Sequence, residues 1–122
     1  MIHLSLREFN RLARREYRQL PLSMRQAIQN LDINVEEWPG SEDLDLLDGE
    51  GTLFGLYRGV PLPEREGAPP LLPDQITLFR QPILRSCATR AEVEREIRIT
   101  LWHEVGHYLG MSEEDLHRLG YG

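Results

Sequence analysis

The segment from Leu101 to Glu113 contains the pattern H-E-x-x-H, formed by His103, Glu104 and His107. Four residues of α-helix advance about 400°, so the two imidazoles lie one turn apart on one helix face and can reach one metal ion. A carboxylate between them is placed to take a proton from a metal-bound water rather than to bind the metal itself. These residue types at this spacing indicate the helix of a zinc hydrolase.

The motif lies at the end of a stretch with helical periodicity. From Arg90 to Leu109 apolar side chains cover roughly one half of a helical wheel, and the two histidines and the glutamate fall beside them. The periodicity predicts a helix over 90–109. Arg98 projects into the apolar arc, which predicts a carboxylate partner or a side chain that extends to solvent. The alternative for the motif is a helix whose histidines are half-buried and only hydrogen-bonded.

A third metal ligand is expected, because catalytic zinc usually takes three protein ligands. Gly110 follows His107 closely and can adopt the left-handed conformation that ends a helix. Such a turn directs Glu113 back toward the metal, and the spacing H-E-x-x-H-x-x-G-x-x-E corresponds to the metzincin pattern with glutamate as the third ligand. We predict Glu113 as that ligand. The acids could instead only open a short last helix capped by Ser112. The competing ligands are Glu114, Asp115 and His117.

Three stretches of the C-terminal half carry a resemblance to a known family. They read LYRGVPL from Leu56, LPDQITLFRQPIL from Leu72, and EIRITLWHEVGHYLG from Glu96. Together they resemble the small bacterial zincin-like metallopeptidases, over most of residues 50–122. The resemblance implies a compact α+β zincin core with zinc at His103 and His107. It also implies an acidic third ligand near position 113 and a general base at the glutamate of the motif.

The resemblance and the motif predict hydrolysis of peptide bonds in a peptide or protein substrate. Zinc polarises the carbonyl, and Glu104 carries a proton from water to the leaving amine. In zincins an extended substrate pairs with an edge strand, and the resemblance makes residues 76–80 that strand. Candidates for stabilising the oxyanion are chosen by chemistry alone. They are Tyr57, Arg80 and Tyr121.

The alternative function is a non-catalytic zinc-binding or peptide-binding module of the same fold. Closed structural zinc sites have four protein ligands, usually including cysteine. Cys87 is the single cysteine of the sequence, which argues against such a site and permits no internal disulfide. We predict that Cys87 is a small buried residue.

The elements that position the motif follow from caps, periodicity and turn residues. Ser5 and Glu8 form a capping box that opens a helix to about residue 20. We then predict a helix over 22–31, strands over 32–37, 52–58 and 75–80, loops over 38–51 and 59–73, and a short helix over 112–119. This order predicts an α+β fold, and the family resemblance implies that it is zincin-like. Its small mixed sheet of three to four strands packs against the H-E-x-x-H helix, with helices at the N-terminus.

Length and composition set the class of protein. The 122 residues contain 40% hydrophobic and 28% charged side chains, typical of a soluble globular protein, and we expect one domain over residues 1–122. No apolar run is long enough to span a membrane, so no membrane partner is expected. The opening residues lack the pattern of a signal peptide, and we expect a cytoplasmic location.

The charge of the chain is unevenly distributed. The net charge is -6, yet residues 1–30 carry six arginines against Glu8 and Glu16, while residues 31–50 carry eight acids and no base. Four of the arginines fall on one side of the first predicted helix and repel one another. They are Arg7, Arg11, Arg14 and Arg18. We expect the acidic run of residues 36–50 to be their counter-charge, and the alternative is that this run is a solvated loop. The run consists of Glu36, Glu37, Glu42, Asp43, Asp45, Asp48 and Glu50. We expect no nucleic-acid partner, because the chain is acidic and has no recognisable binding motif.

Overall fold

A computed structural model describes residues 2–46, 54–64 and 73–118, without the side chains of residues 45, 46 and 62. The helices in these ranges are α1 (Leu6–Arg18), α2 (Leu22–Ala27), α3 (Ser41–Leu46), α4 (Arg80–Arg85), α5 (Arg90–Tyr108) and α6 (Glu113–Arg118). The strands are β1 (Leu31–Glu36), β2 (Gly55–Arg58) and β3 (Asp74–Phe79), and a 3₁₀ turn covers Leu62–Glu64. The predicted α+β fold is confirmed.

The three strands form one mixed sheet in the order β1-β3-β2. β1 runs parallel to β3, and β2 runs antiparallel to it. Residues 76–79 of β3 are all buried, as expected for a strand with neighbours on both edges and cover on both faces. The prediction that residues 76–80 form an edge strand is therefore wrong. Arg80 already belongs to α4, and β1 and β2 are the outer strands among the three that the structure describes.

The core has two parts that are joined by α5. In the first, buried side chains of α1, β3 and α4 pack around the N-terminal half of α5, including Phe9, Leu78 and Ile97. In the second, Leu101 and Val105 pack against Ile76 and the side chains of the sheet's edges and of α2. Burial along one whole side of α5 fixes the axis of the helix that carries the motif.

Arg98 has the carboxylate partner that the sequence predicts. Its Nε and Nη2 donate to the two carboxylate oxygens of Glu16 at 3.0 and 3.4 Å. Glu16 is completely buried, and its backbone carbonyl accepts a hydrogen bond from Trp102 Nε1 at 3.3 Å. Arg15 of α1 bonds to Glu94 of α5 at 2.8 Å. These polar contacts join α1 to α5 just before the metal motif.

Three helices differ from the predictions. α2 ends at Ala27 instead of residue 31, because the chain turns extended at Ile28 and Gln29 N donates to Tyr108 Oη at 3.0 Å. α3 lies within a predicted loop. Acids in its first turn suit the helix dipole, and Asp43 accepts a hydrogen bond from Gly40 N at 2.8 Å. α4 covers a segment for which no helix is predicted, and Pro82 lies in its first turn, where proline removes no intrahelical hydrogen bond.

The structure describes only parts of the predicted second strand and of the connection that follows it. The strand predicted over 52–58 is observed as Gly55–Arg58, because Phe54 lies in a turn. Residues 52 and 53, and residues 65–72 of the predicted connection, lie outside the described ranges. Cys87 is buried, as predicted. None of the helices in the described ranges combines the length and the apolar character that crossing a membrane requires.

The acidic run does not neutralise the arginines of α1 in the part of the chain that the structure describes. Glu37 binds Arg80 with Oε1 2.5 Å from Nη1, and Asp43 binds Arg58. Glu37 and Asp43 therefore have other partners, and the prediction that they are the counter-charge of the arginines of α1 is wrong. The side chains of residues 45–50 lie outside the description.

Candidate metal centre

The helix that carries the motif is bounded by two local signals. At its start, Thr89 caps α5 by accepting a hydrogen bond from Glu92 N at 3.2 Å. At its end, Met111 N donates to Gly106 O at 2.9 Å and Gly110 N donates to His107 O at 3.0 Å. This pair of bonds is a Schellman motif, with Gly110 in the left-handed conformation at φ 84°. The predicted helix end is confirmed.

Two glycines let neighbouring segments approach the motif closely. A Cβ on Gly106 would lie 2.2 Å from Leu116 Cδ2, so its absence lets α6 pack directly against α5. A Cβ on Gly110 would lie 2.4 Å from Pro63 Cγ, in the 3₁₀ turn. The chain therefore reverses tightly after α5, and α6 begins with Glu113 beside the histidines.

The acids of α6 have different surroundings. Asp115 forms a reciprocal cap with Ser112: Asp115 N donates to Ser112 Oγ at 3.1 Å, and Ser112 N donates to Asp115 Oδ2 at 3.2 Å. The other oxygen of Asp115 accepts from Arg118. Asp115 therefore caps α6 together with Ser112, whereas a different acid, Glu113, approaches the histidines. Glu114 and His117 are exposed.

Glu113 is the acid that meets the two histidines. Its Oε1 lies 2.6 Å from His107 Nε2 and 3.3 Å from His103 Nε2. The imidazole rings are 4.5 Å apart between centroids and inclined at 72°. Ligand atoms of a tetrahedral zinc site lie about 3.4 Å from one another, as zinc–ligand distances of about 2.0–2.2 Å require. The 3.3 Å separation matches this spacing, and the 2.6 Å separation is a hydrogen bond, so one carboxylate oxygen of Glu113 lies beside the Nε2 atoms of both histidines.

Glu104 lies beside this set. Its side chain is 1% exposed, and its Oε1 is 3.3 Å from His107 Nδ1. The ligand atoms that His103, Glu104 and His107 offer lie within 4.8 Å of one another. Glu104 Oε2 is buried and has no hydrogen-bond partner among the described residues. A buried carboxylate oxygen without a donor is costly, so this atom suits a site in which a donor is supplied from outside the chain.

The carboxylates hold His107 in its protonated form when no metal is bound. Hydrogen bonding to Glu104 is the largest cause that raises the pKa of His107 to about 9, while burial opposes the rise and Glu113 adds to it. Burial alone would raise the pKa of Glu113, but the hydrogen bond from His107 and the charge of the two imidazoles lower it. Metal ligands must be deprotonated, so a metal ion that binds here displaces the proton of His107.

The site opens into a cleft of about 800 Å³. One wall is the outer edge of β2 with the segment that follows it, and the other is the end of α5 with the start of α6. The lining residues are Leu56, Tyr57, Arg58, Gly59, Pro61, Glu64, Glu104, His107, Gly110, Met111, Ser112 and Glu113. The cleft therefore exposes the metal motif to a ligand along β2.

The predicted candidates for an oxyanion-stabilising group differ in their position relative to the cleft. Tyr57 lines the cleft, but its hydroxyl donates to Asp74 Oδ2 at 2.5 Å. Arg80 binds Glu37 and the carbonyl of Leu4 and does not line the cleft. Tyr121 lies outside the described residues.

The sequence reasoning missed Arg58, a cation in the wall of the cleft. It is held by Asp43 and by Thr77 Oγ1, which lies 3.3 Å from its Nη1. Its place beside Tyr57 in the LYRGVPL stretch was the available signal.

Replacing Gly110 by alanine is expected to weaken metal binding and to lower the free energy of unfolding by about 1–2 kcal/mol, the usual cost of a left-handed non-glycine residue. The new Cβ also meets Pro63, so α6 moves and Glu113 moves with it. Chemical denaturation and zinc titration measure the two effects. Gly40→Ala is the control, because a Cβ at Gly40 meets only Asp43 Oδ2, at an ordinary 3.6 Å. Equal effects of the two changes would contradict the prediction.

Comparison with known proteins agrees with this geometry. The profile of the family described as zincin-like metallopeptidase matches residues 28–122. A similar solved structure is a conserved hypothetical protein from Thermus thermophilus, with a TM-score of 0.57 and 23% sequence identity over 87% of this chain and 94% of that one. At that identity the likeness shows the fold. No curated protein matches the sequence. Because the family profile covers most of the sequence, the chain belongs to the zincin-like metallopeptidase family.

Proposed function

We propose that this protein is a zinc-dependent metallopeptidase in which His103, His107 and Glu113 hold the metal and Glu104 is the general base. The observation that carries the proposal is the position of Glu113 Oε1, within 3.3 Å of the Nε2 atoms of both histidines. The buried Glu104 Oε2, which lacks a partner among the described residues, supports it. Two histidines with one carboxylate are a usual protein ligand set of catalytic zinc.

The division of roles follows from where each carboxylate lies. A bound zinc ion supplies Lewis acidity toward water and the peptide carbonyl. Glu113 faces the nitrogens that would bind the metal, whereas Glu104 faces the other nitrogen of His107 and keeps one oxygen free. That free oxygen accepts the proton of the attacking water and returns it to the leaving amine. Burial of Glu104 excludes bulk water from this exchange.

The substrate is an extended peptide that lies along β2. Peptides bind sheet edges through backbone hydrogen bonds, and side-chain pockets add specificity. β3 has strands on both sides, but β2 has a described strand on one side only and lines the cleft together with Glu104 and His107. This placement replaces the predicted pairing with residues 76–80. The cytoplasmic location expected from the sequence stays a prediction.

Replacing Glu113 by glutamine is expected to lower zinc affinity by about 100-fold or more. The amide keeps the size of the side chain but has no charge, and loss of an outer partner of a zinc ligand already costs about 10–100-fold. Competition with a chromophoric chelator measures the dissociation constant, and metal content follows from mass spectrometry. His107→Ala should remove zinc almost completely.

Glu114→Gln is the matched control, because Glu114 is the next residue of α6 and is exposed. It should bind zinc as the parent protein does. The proposed ligand set is wrong if Glu113→Gln and Glu114→Gln have the same zinc affinity. It is also wrong if zinc reconstitution leaves the parent without metal.

A further inference from the structure

One face of α1 carries four exposed arginines in a row, which we name the arginine face. It consists of Arg7, Arg11, Arg14 and Arg18. None of the four guanidinium groups forms a hydrogen bond or an ion pair within residues 2–46, 54–64 and 73–118. The other arginine of α1, Arg15, lies on the α5 side and is bonded to Glu94. The helix thus has one side whose charge is neutralised and one whose charge is not.

The acids near α1 already have other partners. Glu8 is paired with Arg90 at 3.5 Å, and Glu16 is held by Arg98. Two described acids of the run, Glu37 and Asp43, do not supply the missing charge either, because they bind arginines of α4 and β2. Like charges one turn apart on a helix repel each other, so a row of four favours an external anionic group.

The size and the lining residues of the arginine face restrict the kinds of partner that can bind it. Positions 7 to 18 span about 16 Å of helix axis. The shallow surface between the arginine side chains has a volume of about 600 Å³ and also includes Leu6 and Asn10. Among the described residues, no aromatic side chain on which the bases of a single-stranded nucleic acid could stack lines this surface. Leu6 is 46% exposed and offers an apolar contact at one end.

The net charge of the rest of the molecule further restricts the kinds of partner that can bind the arginine face. The chain has a net charge of -6, so the residues outside the four arginines sum to -10. Such a field repels a long polyanion or an anionic membrane surface as a whole. A short acidic segment can lie along the arginines alone, and an α-helix with acids at the same spacing presents them in one row.

We propose that the arginine face is a docking surface for an acidic helical segment of a partner protein. Carboxylates one turn apart on the partner pair with the guanidinium groups, and an apolar side chain at its end contacts Leu6. Arginine suits this role because its planar guanidinium binds a carboxylate through two hydrogen bonds. The inference does not depend on the metal centre or on the proposed peptidase activity.

The test uses two synthetic alanine-based helical peptides with the same four glutamates. In one they stand in a single row at the spacing of the arginine face, and in the other they are distributed around the helix. Binding is measured by fluorescence anisotropy at about 20 mM salt and at about 150 mM salt, because screening weakens exposed ion pairs. Chemical-shift changes of backbone amides locate the contact. Single-stranded RNA and anionic phosphatidylserine vesicles are tested alongside.

The aligned peptide should bind the parent protein about tenfold more tightly than the distributed one at low salt, with shifts confined to α1. The double variant Arg11→Gln/Arg14→Gln should lose about tenfold in affinity, and Arg7→Gln/Arg18→Gln serves if that variant does not fold. Arg25→Gln/Arg95→Gln, which removes two other exposed arginines, should stay within about twofold. Equal binding of the two peptides, or absence of binding, overturns the proposal. Tighter binding of RNA or vesicles overturns it as well.

Discussion

Replacing Glu104 by glutamine is expected to leave zinc bound and to lower kcat/KM for peptide hydrolysis by about 10²–10⁴-fold, the usual contribution of a general base. Glutamine preserves the shape of the side chain, so it fits the same buried position. It cannot accept a proton from water. Because Glu113 rather than Glu104 faces the two Nε2 atoms, the zinc dissociation constant should change far less than in Glu113→Gln.

The experiment separates the enzyme from a non-catalytic module of the same fold. A mixed peptide library identifies a cleaved sequence, and the variant and the parent are then compared on that peptide after zinc loading. Glu114→Gln is the control, since it makes the same chemical change on an exposed residue. Cleavage by Glu104→Gln at the rate of the parent would falsify the assignment of the base. A parent that binds zinc tightly yet cleaves no peptide would support the non-catalytic module.

The predictions that succeeded concern residues close together in the sequence. The end of α5 and the position of Glu113 follow from a segment in which Gly110 turns the chain three residues after His107. Caps, turns and helical periodicity are local, so their energetics can be read from neighbouring residues. The same holds for the cap that Ser5 gives to α1. The approach of Glu113 to the two histidines was therefore predictable, because all three residues lie within one short segment.

The predictions that failed depend on contacts between distant residues. Alternation and β-propensity indicate that β3 is a strand, but its central place is set by pairing with β1 and β2, whose residues lie far away in sequence. The partners of charged side chains are equally non-local. The carboxylate beside Arg98 belongs to Glu16, which is 82 residues away. Two of the acids expected to face α1, Glu37 and Asp43, bind other arginines.

The burial of β3 also explains why the prediction of an edge strand over residues 76–80 failed. A strand rich in buried apolar residues is suited to the middle of a sheet, where both faces are covered. β3 has that character over residues 76–79, whereas Tyr57 and Arg58 of β2 are half-buried and face a cleft. Burial on both faces was visible in the sequence as the continuous run Ile-Thr-Leu-Phe. It favours a central strand over an edge strand.

Replacing Arg98 by methionine is expected to lower the free energy of unfolding by about 2–3 kcal/mol. Removing one partner of a fully buried ion pair costs about 3–5 kcal/mol, and the figure is smaller here because the Arg98 side chain is 43% exposed. Methionine retains the apolar stem but leaves the carboxylate of Glu16, which is 1% exposed, with Arg15 at 3.8 Å as its remaining ion-pair partner in the described structure. Urea denaturation measures the loss.

The double variant Glu16→Met/Arg98→Met should recover most of that stability, because it removes the buried charge together with its partner. Arg95→Met is the control for the loss of an arginine on α5, since Arg95 is exposed and makes no ion pair with the residues that the structure describes. If Arg98→Met and Arg95→Met destabilise the protein equally, the contact between α1 and α5 is not held by this pair. If the double variant loses the sum of the two single effects, the stabilisation comes from hydrogen bonds to other groups instead. The expected recovery would show that Arg98 serves chiefly to neutralise Glu16, one turn before the helix reaches Trp102 and the metal motif.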